Sequence, residues 1–131
     1  MITWDDEMTT GVMKLDRQHK KLIEKYNELY EAIDQGRGRE VIGEILDFLE
    51  FYADWHFGEE ETCMDQYQCP VARRNKQAHA EFLLLFGEFH TQWQRSTLNK
   101  QQVQDACAEL GAWIENHIRR VDAQLASCLD S

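Results

Sequence analysis

Residues 47–64, DFLEFYADWHFGEEETCM, decide how this chain folds. Ile42, Ile45, Leu49 and Tyr52 recur at the three- and four-residue spacing of one buried helix face. The next two positions on that face are His56 and Glu60, one turn apart. Turning an imidazole and a carboxylate into a core is costly unless partners satisfy them. Those partners must come from elsewhere in the chain.

Working outward, the breaks are few: DQGRGR at 34–39, YQCP at 67–70 with the single proline Pro70, and QRSTLNK at 94–100. They predict four helices. The first runs over about 17–34 with Asp16 as its N-cap, the second over about 40–65. The third covers about 70–93 with Pro70 in its first turn, and the fourth about 100–120. Residues 1–15 show no sustained period and are expected to lie across the bundle as an arm. Four helices with short connections predict a single all-α domain, an up-down-up-down antiparallel bundle over about 16–122 with a tail at 123–131.

Counting threes and fours along the other helices exposes their inward stripes. The first gives Leu15, His19, Leu22, Tyr26, Leu29 and Ile33. The third gives Asn75, His79, Phe82, Phe86, Phe89 and Trp93, and the fourth Val103, Ala106, Leu110, Ile114, His117 and Val121. A lone histidine on such a stripe is most often an ordinary core residue. Here every helix supplies one. His19 and His79 sit early in their helices, His56 and His117 late, so an antiparallel bundle brings all four to one end. His90 follows His79 on nearly the same face but about 16 Å further along. It belongs to the opposite end and is expected to be structural or solvent-reaching.

Glu60 shares a face with His56, whereas the flanking Glu59 and Glu61 are expected to face water. Asp122 follows His117 by five residues, a poor match to a straight helix. It reaches inward only where the turn is distorted, as at a π-bulge, so spacing leaves its role open. Imidazole nitrogens with carboxylate oxygens suit a transition metal better than Ca²⁺ or Mg²⁺. Helix bundles hold carboxylate-bridged metal pairs in this way, which makes Glu60 and Asp122 candidate bridges.

The formal net charge of −10 argues against nucleic acid or an anionic membrane as partner. The N-terminal stretch MITWDDEMTTG lacks the basic and apolar regions of a signal peptide. No apolar run reaches the roughly 18 residues of a membrane span. A cytoplasmic location is expected, with no membrane insertion, and with the four cysteines (63, 69, 107 and 128) as reduced thiols.

The runs GVMKLDRQHKKL at 11–22, HFGEEETCM at 56–64, HAEFL at 79–83 and WIENHIRRVD at 113–122 together resemble the bacterial hemerythrins. That resemblance implies a non-haem centre of two iron ions, carboxylate- and oxo- or hydroxo-bridged, that binds O2 reversibly. It implies His19 and His56 on one iron, His79 and His117 on the other, and Glu60 and Asp122 bridging them. O2 is then taken end-on at the iron of His19 and His56, in a pocket walled by Leu22, Phe57, Trp113 and Ile114. One position departs from the pattern. The family carries a further histidine ligand four residues before position 79, and this chain has Asn75, which offers a weak amide oxygen or holds a water. The expected function is a monomeric O2 carrier, store or local supplier, with O2 and a protein client for its delivery as partners. A di-iron enzyme of oxidase, peroxidase or nitric oxide reductase type, which Asn75 favours, is the alternative, as is a free-standing O2 or iron sensor.

Overall fold

The structure, a computed structural model, describes residues 1–129; residues 130 and 131 of the expected tail lie outside the described residues. Four long helices dominate: α1 (Met13–Asp34), α2 (Arg39–Gln66), α3 (Ala72–Gln94) and α4 (Lys100–Arg120). A 3₁₀ turn at Asp122–Gln124 leads into the short α5 (Leu125–Leu129), and another 3₁₀ turn, Asp6–Met8, lies in the arm. No strand occurs among the described residues.

Cross-helix hydrogen bonds give the directions. Arg39, opening α2, donates to the carbonyls of Trp93 and Gln94 that close α3, both at 3.2 Å. The Tyr52 hydroxyl, midway along α2, donates to the carbonyl of Gln18, early in α1 (3.3 Å), and nearer the other end Lys14 in the first turn of α1 lies 3.5 Å from Glu59, late in α2. Neighbours therefore run antiparallel, as the short connections predict. Midway along, the Tyr26 hydroxyl donates to the Cys107 carbonyl at 2.8 Å. This close approach of α1 to α4 needs Gly111, because a methyl group there would drive into the Tyr26 ring.

The first three helices end alike, with one residue in the left-handed region: Gly36 (φ 67°), Gln68 (φ 51°) and Ser96 (φ 56°). In each case the next amide reaches back to a carbonyl five residues earlier: Arg37 to Ala32, Cys69 to Met64, and Thr97 to Gln92. This closes the orphan carbonyls of the last turn. At the start of α4, Asn99 and Gln102 cap each other's backbone amides reciprocally (2.8 and 2.9 Å).

Two expected helix starts are corrected. α1 begins at Met13, so Asp16 is not its N-cap; its carboxylate accepts from the amide and hydroxyl of Thr10 (2.8 Å each) and anchors the arm. Pro70 lies ahead of α3 in the turn closed by Ala72 N–H to the Cys69 carbonyl (3.1 Å), a turn position that its locked φ also suits. The buried face of α2 is rotated slightly from the expected stripe. Leu46 and Ala53 are buried, while Ile45 and Tyr52 are half-buried flanks. The arm is tied to both ends of the sequence. Ile2 and Asn27 exchange two 2.9 Å hydrogen bonds, Met8 is fully buried, and Arg119 on α4 pairs with Asp5.

The expectation of four reduced thiols is also corrected. Cys69, in the α2–α3 connection, forms a disulfide with Cys128 of α5, with Cα atoms 5.7 Å apart, while Cys63 and Cys107 remain free. The turn after α4 sends the tail back over that connection, where Leu15, Met64, Cys69 and Leu125 make a small second core. Two cysteines 59 residues apart show no such proximity in sequence.

Candidate metal centre

α1 contributes His19, α2 His56 and Glu60, α3 Asn75 and His79, α4 His117, and the following turn Asp122. All seven are buried, His19, His56, Glu60 and Asn75 completely. Their donor atoms fall into two sets, His19, His56, Glu60 and Asp122, and Glu60, His79, His117 and Asp122. Within each set the atoms lie within 4.8 Å of one another. Each carboxylate faces both ways. Glu60 Oε2 lies 2.8 Å from His19 Nε2 and 3.5 Å from His56 Nε2, while its Oε1 lies 2.9 Å from His79 Nε2. Asp122 turns Oδ2 to His19 Nε2 at 3.1 Å and Oδ1 to His117 Nε2 at 3.2 Å.

Asp122 arrives there by the ending of α4 rather than by a π-bulge. The last α-type bond runs from Val121 N–H to the His117 carbonyl (2.9 Å), and Val121 then departs to φ −110°, ψ −59°. The chain tightens into the 3₁₀ turn, which swings Asp122 under the bundle.

The residues fit metal ions. His56 Nε2, His79 Nε2, His117 Nε2 and Asp122 Oδ1 are buried without a hydrogen-bond partner among the described residues, although carboxylate oxygens are within 3.5 Å of each nitrogen. These contacts are close but off the hydrogen-bonding direction, as expected of donors aimed at a shared third body. Unsatisfied buried polar atoms are rare and call for an explanation.

Electrostatics say the same. Burial pushes the Glu60 carboxyl up, but His19, His56 and His79 around it more than offset this and hold it well below the usual carboxylate range. Burial pulls His19 down, yet Asp122 and Glu60 outweigh it and lift the imidazole to about 10. His79 is raised in the same way, burial being opposed chiefly by Glu60. The carboxylates thus favour positive charge on His19 and His79. A divalent cation is the natural replacement.

Two residues that the stripes did not reveal support the rings. Gln18 Oε1 accepts from His56 Nδ1 at 2.7 Å, and Glu61 Oε2 from His79 Nδ1 at 3.0 Å. Glu61 thus corrects the expectation of a solvated carboxylate; α3 lies on its side of α2, which periodicity within α2 does not report. Glu59 does face outward, 3.5 Å from Lys14. Phe57 stacks on His79 (centroids 3.9 Å apart) and Trp113 on His117 (4.5 Å). Leu22 and Ile114 border an enclosed apolar cavity of about 10 Å³ shared with Tyr26, Phe82 and Leu110. His90 is far from all of this, buried at the other end between Glu50 (3.1 Å) and Asp47 (3.3 Å).

The chain as a whole is similar to known proteins. The family model "Hemerythrin HHE cation binding domain" matches residues 10–129. A bacteriohemerythrin of Pseudomonas aeruginosa is 32% identical over 123 residues, covering 93% of this chain and 77% of the relative. One from Methylococcus capsulatus is 28% identical over 132 residues, covering 100% of this chain and 98% of its own. A crystal structure of wild-type hemerythrin superposes with a TM-score of 0.88 at 28% identity, covering 100% of this chain and 99% of that one. The match spans the arm's end, all four helices and the turn that carries Asp122, and the chain belongs to the hemerythrin HHE family of cation-binding domains.

Proposed function

We propose that this protein is a non-haem di-iron protein that binds O2 reversibly and acts as an oxygen carrier, store or local supplier. The observation that carries this reading is the sharing of Glu60 and Asp122 by two sets of four buried donors. One iron would take His19 and His56, the other His79 and His117, with the two carboxylates bridging. When bound, a ferrous pair would supply the two electrons, one from each ion, that reversible O2 binding needs.

The protein's own part is orientation and exclusion. Glu61, an acceptor only, fixes the proton of His79 on Nδ1, and Gln18 does the same for His56, so each Nε2 lone pair faces the centre. Phe57 and Trp113 hold two ring planes by stacking. The cavity bordered by Leu22 and Ile114 is lined almost wholly by apolar atoms, so it stays dry. Apolar walls of this kind would cost neutral O2 no hydrogen bonds, whereas they would cost a water its own. This reading takes the protein as a monomer delivering O2 to a protein client in the cytoplasm, a compartment where the Cys69–Cys128 disulfide would be unusual.

Asn75 supports a second reading, a di-iron oxidase, peroxidase or nitric oxide reductase. It places an amide where an imidazole one turn before His79 would otherwise reach the same side of the centre. Anaerobic reconstitution with ferrous iron decides between them. Two irons per chain and an O2-dependent visible band that vanishes on removing O2 are expected. One iron or none under excess iron would refute the di-iron assignment, and steady turnover of peroxide or nitric oxide would favour the enzyme.

A further inference from the structure

Asn75 is fully buried beside the shared carboxylate and a thioether. Its Nδ2 donates to Glu60 Oε1 at 3.2 Å and to Met64 Sδ at 3.0 Å. Chemistry sets this orientation of the amide, because an ionised carboxylate and a thioether only accept. Both N–H bonds are therefore used, and Oδ1 is left buried without a partner. A buried amide oxygen in that condition is unfavourable and marks a missing donor.

The identity of the donor follows from position. The Glu60 oxygen that Asn75 holds, Oε1, is the one facing His79, and Asn75 lies one turn before His79 on α3. Asn75 therefore stands on the His79–His117 side of the centre. That side receives two imidazole nitrogens and one oxygen from each carboxylate, the same complement as the His19–His56 side. The chain's own donors do not distinguish the two metals. What distinguishes the second side is an unpaired amide oxygen beside it, where the first side has the unpaired ring nitrogen His19 Nδ1.

Taking the di-iron reading as given, we propose that the His79–His117 side is a second small-ligand position. A solvent-derived ligand, water or hydroxide, completes the metal there and donates a hydrogen bond to Asn75 Oδ1. The Asn75 NH₂ meanwhile keeps Glu60 Oε1 in place. Asn75 is thus a positioning residue: it leaves both metals with a ligand that can exchange, rather than one.

Manganese(II) loaded anaerobically is the probe, since it takes nitrogen and oxygen donors, does not react with the bound water, and reports exchangeable water through nuclear relaxation. Wild type with two Mn(II) per chain is expected to show an exchangeable water on each metal. Asn75→His, at the same metal content, should lose about half of the inner-sphere relaxation enhancement, because imidazole replaces one of the two waters. Asn75→Leu leaves the position open but removes the acceptor, so the residence time of bound water, read from oxygen-17 relaxation, should shorten. Exchangeable water on only one metal of wild type would overturn the proposal, a result that needs no variant to fold. Unchanged relaxation in the histidine variant or an unchanged residence time in the leucine variant would overturn it equally. Wild type that fails to take up two Mn(II) ions would instead overturn the di-iron reading, and this proposal with it.

Discussion

Replacing Gln18 by leucine isolates one support of the centre while nearly conserving shape. Gln18 is buried, and its Oε1 accepts from His56 Nδ1 at 2.7 Å. The backbone carbonyl of Gln18, which accepts from Tyr52, is untouched by the substitution. In the variant His56 keeps a buried N–H with no acceptor, a cost of about 1–3 kcal/mol. Leucine recovers about 1 kcal/mol by burying apolar atoms where the amide was, so the fold should weaken only slightly. The loss concentrates in metal binding. Removing a partner that orients a ligand histidine weakens affinity about 10- to 100-fold, equivalent to about 1.4–2.7 kcal/mol. Competition of the ferrous protein against a chelator under anaerobic conditions measures this, with urea unfolding of the metal-free protein as the control. Gln18→Glu restores an acceptor and should recover much of the affinity. A leucine variant that binds iron as tightly as wild type would show that Gln18 does not orient His56, or that His56 is not a ligand.

Glu60→Ala should abolish stoichiometric iron, because it removes an oxygen from both donor sets, whereas Glu59→Ala should leave it intact; equal iron content in the two would refute the assignment of the bridge. His90→Ala removes a buried ring held by Glu50 and Asp47 at the far end, so it should lower stability by about 1–3 kcal/mol with iron content and optical spectrum unchanged. Loss of iron from a folded His90 variant would contradict that separation. Cys128→Ser opens a link between positions 59 residues apart and should lower unfolding stability by up to about 4 kcal/mol by the chain-entropy estimate. Non-reducing urea unfolding tests it, and a midpoint equal to wild type would mean that the cross-link does not contribute.

The four long helices and their order, and the end of the bundle that gathers histidines, were legible in the chain, whereas the short α5 in the expected tail was not. They depend on local periodicity: an apolar face repeating every three or four residues marks a helix, and short connections force neighbours antiparallel. The misses have a common character. Asp16 and Pro70 both have the chemistry of helix starts, yet Asp16 lies inside α1, four residues past its cap Val12, and holds Thr10, while Pro70 lies two residues ahead of α3 in the preceding turn. Ile45 and Tyr52 fit the α2 stripe but flank it, because the packing of α1 and α3 selects which side of a wide apolar face is covered most.

By itself the sequence determined an all-α bundle with one histidine per helix turned inward at one end, since each helix's amphipathic phase is encoded within that helix. Only the tertiary structure decided the rest. Asp122 enters the cluster because α4 ends at Arg120 and tightens into a 3₁₀ turn, a change of helix geometry that no spacing from His117 announces. Glu61 supports His79, and Cys69 meets Cys128, because α3 and the returning tail lie where they do. Such contacts join residues distant in the chain, and their partners are set by how the helices pack rather than by any period within one of them.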